Sequence, residues 1–134
     1  MGHSIQTFIP SNLPSPLGPY SHIAKAGQLI TISAVAGMDP VTGELVGADA
    51  YSQAKQILIL CADMLATVEA DFANVVHVNL YLKKIEHLDE VTRAYEETVG
   101  ATRPSGTVVG VPDLPKPGAL VTMSLTAISL IPGK

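Results

Sequence analysis

Few side chains in this sequence can do chemistry alone, and their spacing decides which kind. Histidines stand at 3, 22, 77 and 87, and Cys61 is the only cysteine. A zinc or other transition-metal site needs His, Cys or carboxylate ligands at short, repeated spacings. None of these histidines pairs with another, with Cys61 or with a carboxylate cluster, so no metal site is expected. His77 reads as a hydrogen-bonded histidine on a strand face, and His3 as a mobile N-terminal residue. Cys61 sits in an apolar helical pattern and reads as a buried, inert thiol; a catalytic thiol needs an accessible, electropositive setting. The glycine-rich dinucleotide turn, the phosphate-loop lysine motif and the Gly-x-Ser-x-Gly elbow are all absent.

What remains is a set of short segments at the ends of strands. They are Leu17-Gly18-Pro19-Tyr20-Ser21, Ser33-Ala34-Val35-Ala36-Gly37, Arg103-Pro104-Ser105-Gly106-Thr107 and Val111-Pro112-Asp113-Leu114-Pro115. Each by itself is ordinary turn chemistry. Together they offer hydroxyls, one guanidinium and one carboxylate, Asp113. His22 follows the tyrosine segment, and imidazole is the side chain whose charge changes near neutral pH. It is therefore a candidate acid or base.

These segments need elements to hold them. Residues 4–9 alternate and predict a short edge strand. Residues 10–19 carry four prolines and predict a fixed, extended loop. Residues 21–26 and 29–33 predict a hairpin turning at Gly27. Asp39-Pro40 and Thr42-Gly43-Glu44 mark a further turn. Residues 50–70 predict the strongest helix: Ala54, Ile57, Leu58, Cys61, Leu65 and Val68 share one face, Asp49 caps it, and Gln53 and Lys55 point to solvent. Residues 75–82 alternate strictly, with Val76, Val78, Leu80 and Leu82 on one face and Val75, His77, Asn79 and Tyr81 on the other. A second helix is expected over 88–98, with Leu88, Val91, Tyr95 and Thr98 inward and Gly100 near its end. A short strand over 107–111, a proline-rich loop over 112–118 and a long strand over 119–131 follow. In the last, Val121, Met123, Leu125 and Ala127 oppose Thr122, Ser124 and Thr126.

The expected order is β-β-β-α-β-α-β-β in one domain, residues 1–134, with 1–10 as an edge segment. This is an α/β (α+β) fold with a six-stranded mixed sheet. Two helices cannot cover both sides of such a sheet, so they should pack on one face. The other face is half-polar and uncharged, which suits contact with copies of the same chain. Composition agrees. Charged residues are only 15% and apolar residues 47%, against about 25% charged in ordinary domains. The net charge of −4 and scattered cations disfavour nucleic acid. No apolar run reaches membrane-spanning length and no signal peptide is evident, so a cytoplasmic protein is expected.

In this order and spacing, the segments resemble the Rid (YjgF-type) family, the reactive intermediate deaminases, from about Pro16 to Ile131. The residues that carry the resemblance are Gly18-Pro19-Tyr20-Ser21, Thr31-Ile32-Ser33 with Pro40-x-x-Gly43-Glu44, Ala94-Tyr95-Glu96, and Arg103-Pro104 with Leu114-Pro115. The resemblance implies a chorismate-mutase-like fold, a homotrimer with clefts between subunits, and cofactor-independent hydrolysis of enamines and imines. It also implies site positions. Tyr20 matches a tyrosine that lines the cleft and Ser33 a serine in it. The arginine that holds a substrate carboxylate falls at Gly106, and the glutamate that activates water or relays protons falls at Ser124. A frequent cysteine falls at Val108, and a common asparagine at Thr92. Backbone groups near Thr107 and Val108 remain able to bind a water or a carbonyl.

These departures shape the expectation. Glycine cannot supply a bidentate, charge-assisted clamp, and serine is a poor base unless activated. Little 2-imino acid deaminase activity is expected. Arg103 could reach the cleft, opposite Asp113, or stay solvated and pair with Glu96 or Glu97. The candidate catalytic groups are Ser124, Arg103 and His22. The candidate substrate-binding residues are Tyr20, Ser33, Thr92, Gly106, Thr107, Val108 and Ser124. The leading expectation is a trimer that binds or hydrolyses a small enamine- or imine-type metabolite without metal or cofactor. The alternatives are a non-catalytic metabolite- or partner-binding trimer and, behind it, an endoribonuclease or translation inhibitor.

Overall fold

The computed structural model describes residues 4–130. His3 and the last expected strand residue, Ile131, lie outside them. Six strands and two helices form in the expected order: β1 (Gln6–Phe8), β2 (Ile23–Ala26), β3 (Leu29–Val35), α1 (Ala50–Thr67), β4 (Val75–Leu82), α2 (Leu88–Val99), β5 (Ser105–Gly110) and β6 (Val121–Ile128). They make one mixed sheet in the order β1-β2-β3-β6-β4-β5. All neighbours are antiparallel except β4 and β5, which run parallel and are joined through α2. That joining is a βαβ crossover, which lays α2 over the β4–β5 end of the sheet.

Periodicity explains most of the core. Ile57, Leu58, Cys61, Met64 and Leu65 of α1 are fully buried, as are Ile30, Val121 and Met123 of the sheet. Asp49 caps α1, accepting from the Ser52 N–H at 2.9 Å. Gly27 opens the two-residue hairpin loop at φ +59, a conformation that favours glycine. Among the described residues, no helix is long and apolar enough to cross a membrane.

Three expectations need correction. Gln53 is not at the surface: it is fully buried, donating to the carbonyls of Gly47 and Gly118 and accepting from the Leu120 N–H at 2.8 Å. It ties two loops to the start of α1, a long-range task that helical periodicity does not reveal. The strict alternation of β4 breaks at its start. A bulge lies between Val75 and His77, so Val75 turns into the core and Val76 stands 47% exposed. On α2, Thr98 is exposed, and Ala94 joins Val91 in the core instead.

Candidate functional site

The parallel register of β4 and β5 decides where each strand side chain goes. Val78 pairs with Gly106 and Leu80 with Val108. Val78 is buried, so this row faces the helices, beneath α2. A groove of about 200 Å³ lies there, lined by Val78, Leu80, Thr92, Tyr95, Gly106 and Val108 among others. Its floor is apolar. A Cβ added at Gly106 would meet only the Val78 carbonyl, at 3.6 Å, so nothing fills the place a side chain would take.

Arg103 stands at the rim of this groove. Its guanidinium bonds both carboxylate oxygens of Glu96, at 2.9 and 3.3 Å, and its side chain is 71% exposed. The bond to Glu96, and then the charge of that carboxylate, hold the guanidinium above its ordinary value. Of the two placements expected for Arg103, the structure shows the pairing with Glu96. Asp113 instead pairs with Lys83, at 3.4 Å.

The N-terminal candidates gather elsewhere. Tyr20 is exposed at the end of the proline-rich loop, and its ring lies over Gly18, where a Cβ would meet it at 2.9 Å. A side chain at 18 would push the ring aside. Ser33 donates to the Ser21 carbonyl at 2.6 Å and holds the loop against β3. A second bulge, between Ile32 and Val35, sets Ser33 and Ala34 opposite Ser124 of β6. His22 is buried beside this loop, and its Nδ1 has no hydrogen-bond partner. It lines a water-sized hollow with Tyr20 and Leu17.

The face away from the helices carries a third group. His77 Nδ1 meets Ser105 Oγ at 2.7 Å, and its Nε2 meets Thr107 Oγ1 at 3.1 Å and Asn79 Oδ1 at 3.2 Å. The Asn79 amide donates to Ser124 Oγ at 3.2 Å, and Tyr81 OH lies 3.4 Å from the same oxygen. His77 is thus a hydrogen-bonded strand-face histidine. The linkage from it to Ser124 goes beyond what sequence reasoning finds. Its signal is present there, as polar residues at alternate positions 77, 79, 81 and 105, 107. Only the β4–β5 register brings the two rows together.

The candidate residues therefore divide between two faces. Thr92, Gly106 and Val108 meet on the helix side, while the Thr107 and Ser124 side chains lie on the opposite side, Ser124 beside the bulge that carries Ser33. One copy of the chain does not bring Gly106 and Ser124 around a single small molecule. Among the described residues, no three His, Cys, Asp or Glu side chains gather to hold a metal ion. Cys61 is fully buried, and burial pushes its thiol up to about 12.

Comparison with known proteins adds a second line. The pattern of the family described as Endoribonuclease L-PSP matches residues 10–129. A RutC family protein from Pyrococcus horikoshii is 34% identical over 105 residues, which is 78% of this chain and 83% of that one. The human 2-iminobutanoate/2-iminopropanoate deaminase is 32% identical over 115 residues, 86% of this chain and 83% of its own. Among solved structures, the Rid family protein YyfA from Yersinia pestis superposes with a TM-score of 0.86 at 27% identity. That match covers 93% of this chain and 99% of the other.

Proposed function

The chain belongs to the Endoribonuclease L-PSP family, the Rid (YjgF-type) proteins, and on that premise we propose that it is a cytoplasmic homotrimer that binds or hydrolyses a small enamine- or imine-type metabolite. The observation that carries this reading is the apolar floor of the groove at Gly106, whose one lining guanidinium, Arg103, is already engaged by Glu96. Such a groove suits a neutral substrate body better than a 2-imino acid. The split of the candidate residues between two sheet faces supports a cleft shared by two copies. One copy contributes Thr92, Gly106, Val108 and the backbone of Thr107, and the other Tyr20, Ser33 and Ser124.

The reaction balances without a cofactor. Water adds to the carbon of the imine C=N bond, and a proton passes from oxygen to nitrogen. The remaining C–N bond then breaks to leave a carbonyl compound and ammonia. Ser124, Arg103 and His22 are the candidates for moving that proton. Arg103 is the weakest of them, because a guanidinium keeps its proton through the whole working range.

The test generates imines in place, 2-iminobutanoate with an amino-acid oxidase and a neutral imine with an amine oxidase, and measures ammonia release. Faster loss of the neutral imine supports the reading. Rapid turnover of 2-iminobutanoate, unchanged in Arg103→Ala, overturns it. Light scattering at micromolar concentration should give a trimer; a stable monomer overturns the shared cleft.

Binding without turnover is the second reading. It is favoured by the surroundings of Ser124, where an amide and a phenol, not a base, touch the hydroxyl directly. Native mass spectrometry with a carried-over metabolite, and no ammonia release from any imine, is its expected outcome. RNA cleavage has less support. Lys55, Lys83 and Arg103 are all in ion pairs, and the net charge is negative. Strong, salt-sensitive RNA binding would revive that reading.

A further inference from the structure

The hydrogen bonds around His77 obey a strict count of protons. Ser105 Oγ lies 2.9 Å from the Val76 carbonyl and donates to it. A hydroxyl has one proton, so at the 2.7 Å contact with His77 Nδ1 the serine accepts and Nδ1 carries hydrogen. At the other end, Asn79 Nδ2 donates to Ser124 Oγ, which turns Oδ1 toward His77 Nε2 at 3.2 Å. An amide oxygen only accepts, so Nε2 must carry hydrogen too. With the amide turned this way both ring nitrogens donate, the arrangement that fits the charged imidazolium.

The neutral ring requires a different arrangement. Nδ1 keeps its hydrogen for Ser105, and Nε2 becomes a bare acceptor. Thr107 Oγ1, 3.1 Å away, can donate to it. Asn79 Oδ1 would then face a lone pair. A half-turn of the amide removes the conflict: Nδ2 donates to Nε2, and Oδ1 faces Ser124. The serine must now give its own proton to Oδ1.

We infer that His77 is a positioning residue that acts through Asn79 and sets whether Ser124 offers the cleft a hydrogen-bond donor or only an acceptor. With His77 charged, Ser124 Oγ accepts from Asn79, and its proton can pass from the long 3.4 Å contact with Tyr81 OH to a carbonyl oxygen or imine nitrogen. With His77 neutral, that proton is held by Asn79, and Ser124 presents lone pairs to an N–H or a water. The groups that meet His77 are Ser105 and Thr107 from β5, Thr126 across the ladder on β6, and Asn79 on its own strand. None of these four carries a charge. The other ionisable group of the network is Tyr81, beyond Ser124. The inference rests on the proposed cleft only in that Ser124 meets the ligand there.

Nuclear magnetic resonance of the full-length protein tests it in two steps. Without ligand, the Asn79 side-chain amide should shift with the same midpoint as the His77 ring, and His77→Gln should abolish that shift. With cyclopentanone, a neutral molecule that only accepts, binding should be roughly threefold to tenfold tighter when His77 is charged. In Asn79→Leu the ring should still titrate while cyclopentanone binding loses its pH dependence. An Asn79 amide that stays fixed while His77 titrates overturns the inference, whatever binds. Unchanged pH dependence in Asn79→Leu also overturns it. If the amide follows His77 but cyclopentanone binds at no pH, the switch stands and the neutral-ligand reading of the cleft fails.

Discussion

Placing a cation back on β5 tests the central reasoning directly. In Gly106→Arg, the new Cβ meets only a backbone oxygen at 3.6 Å, an ordinary van der Waals contact. The residue is exposed and lies in a regular parallel ladder with Val78. Glycine is also a weak strand former, so the variant should fold at least as well as the parent. The new guanidinium would stand in a groove with apolar walls, where the rim cation Arg103 is already paired with Glu96. A charge-assisted hydrogen bond contributes about 1.5–3 kcal/mol, or roughly ten- to a hundredfold. The expected result is a rise of that size in kcat/KM for 2-iminobutanoate, with little change for a neutral imine. Adding Ser124→Glu should raise it further. The assay follows loss of 2-iminobutanoate made in place by an amino-acid oxidase, beside circular dichroism to show that the variant is folded. A folded Gly106→Arg no faster than the parent on 2-iminobutanoate would refute the reasoning. So would a parent already fast on it whose activity disappears in Arg103→Ala, because the rim guanidinium would then be the working clamp.

Gln53→Leu leaves the Leu120 N–H and the Gly47 and Gly118 carbonyls without their partner, so urea unfolding should show a loss on the order of 3 kcal/mol. A change below about 0.5 kcal/mol would contradict that role. The Ser52 N–H holds the Asp49 carboxyl below its ordinary value. A carboxyl lowered in the folded state contributes stability above its unfolded pKa, about 4, and loses it as pH falls through the folded value. Stability against heat should therefore fall with acid, with a shallower acid slope in Asp49→Ala than in the parent. Buried Cys61 should resist iodoacetamide at pH 8 in the native protein and react on unfolding in urea; labelling of the native form would contradict its burial.

Where burial follows a repeating pattern, the elements were legible. The apolar stripe of α1, the alternation of β6 and the Gly27 turn each report a local period, and each forms as expected. The misreadings share a cause. Gln53 is polar at a helical position that periodicity assigns to solvent, and its partners are 6 to 67 residues away along the chain. Gly37 could have warned of this: a Cβ there would sit 2.4 Å from the Gln53 carbonyl, so the loop must pass against α1 without a side chain. The bulge at Val75 and Val76 leaves no mark in a run of valines, since either residue suits either face. The candidate site was legible residue by residue but not in its layout. Gly106 and Thr107 are neighbours in sequence, yet their side-chain directions lie on opposite faces of the sheet.

The place of β6 has a consequence for how the chain is made. It is the seam between β3 and β4, yet it leaves the ribosome after every strand it joins. Until it emerges, the β1–β3 hairpin unit and the β4–α2–β5 unit each expose an unzipped edge and half of an apolar floor. Neither can be sealed by the other, because β3 and β4 are not neighbours in the sheet. Closure is thus a late, long-range event, the kind that slows folding and invites aggregation. A nascent chain stalled before residue 121 should be held by chaperones or lost to proteolysis.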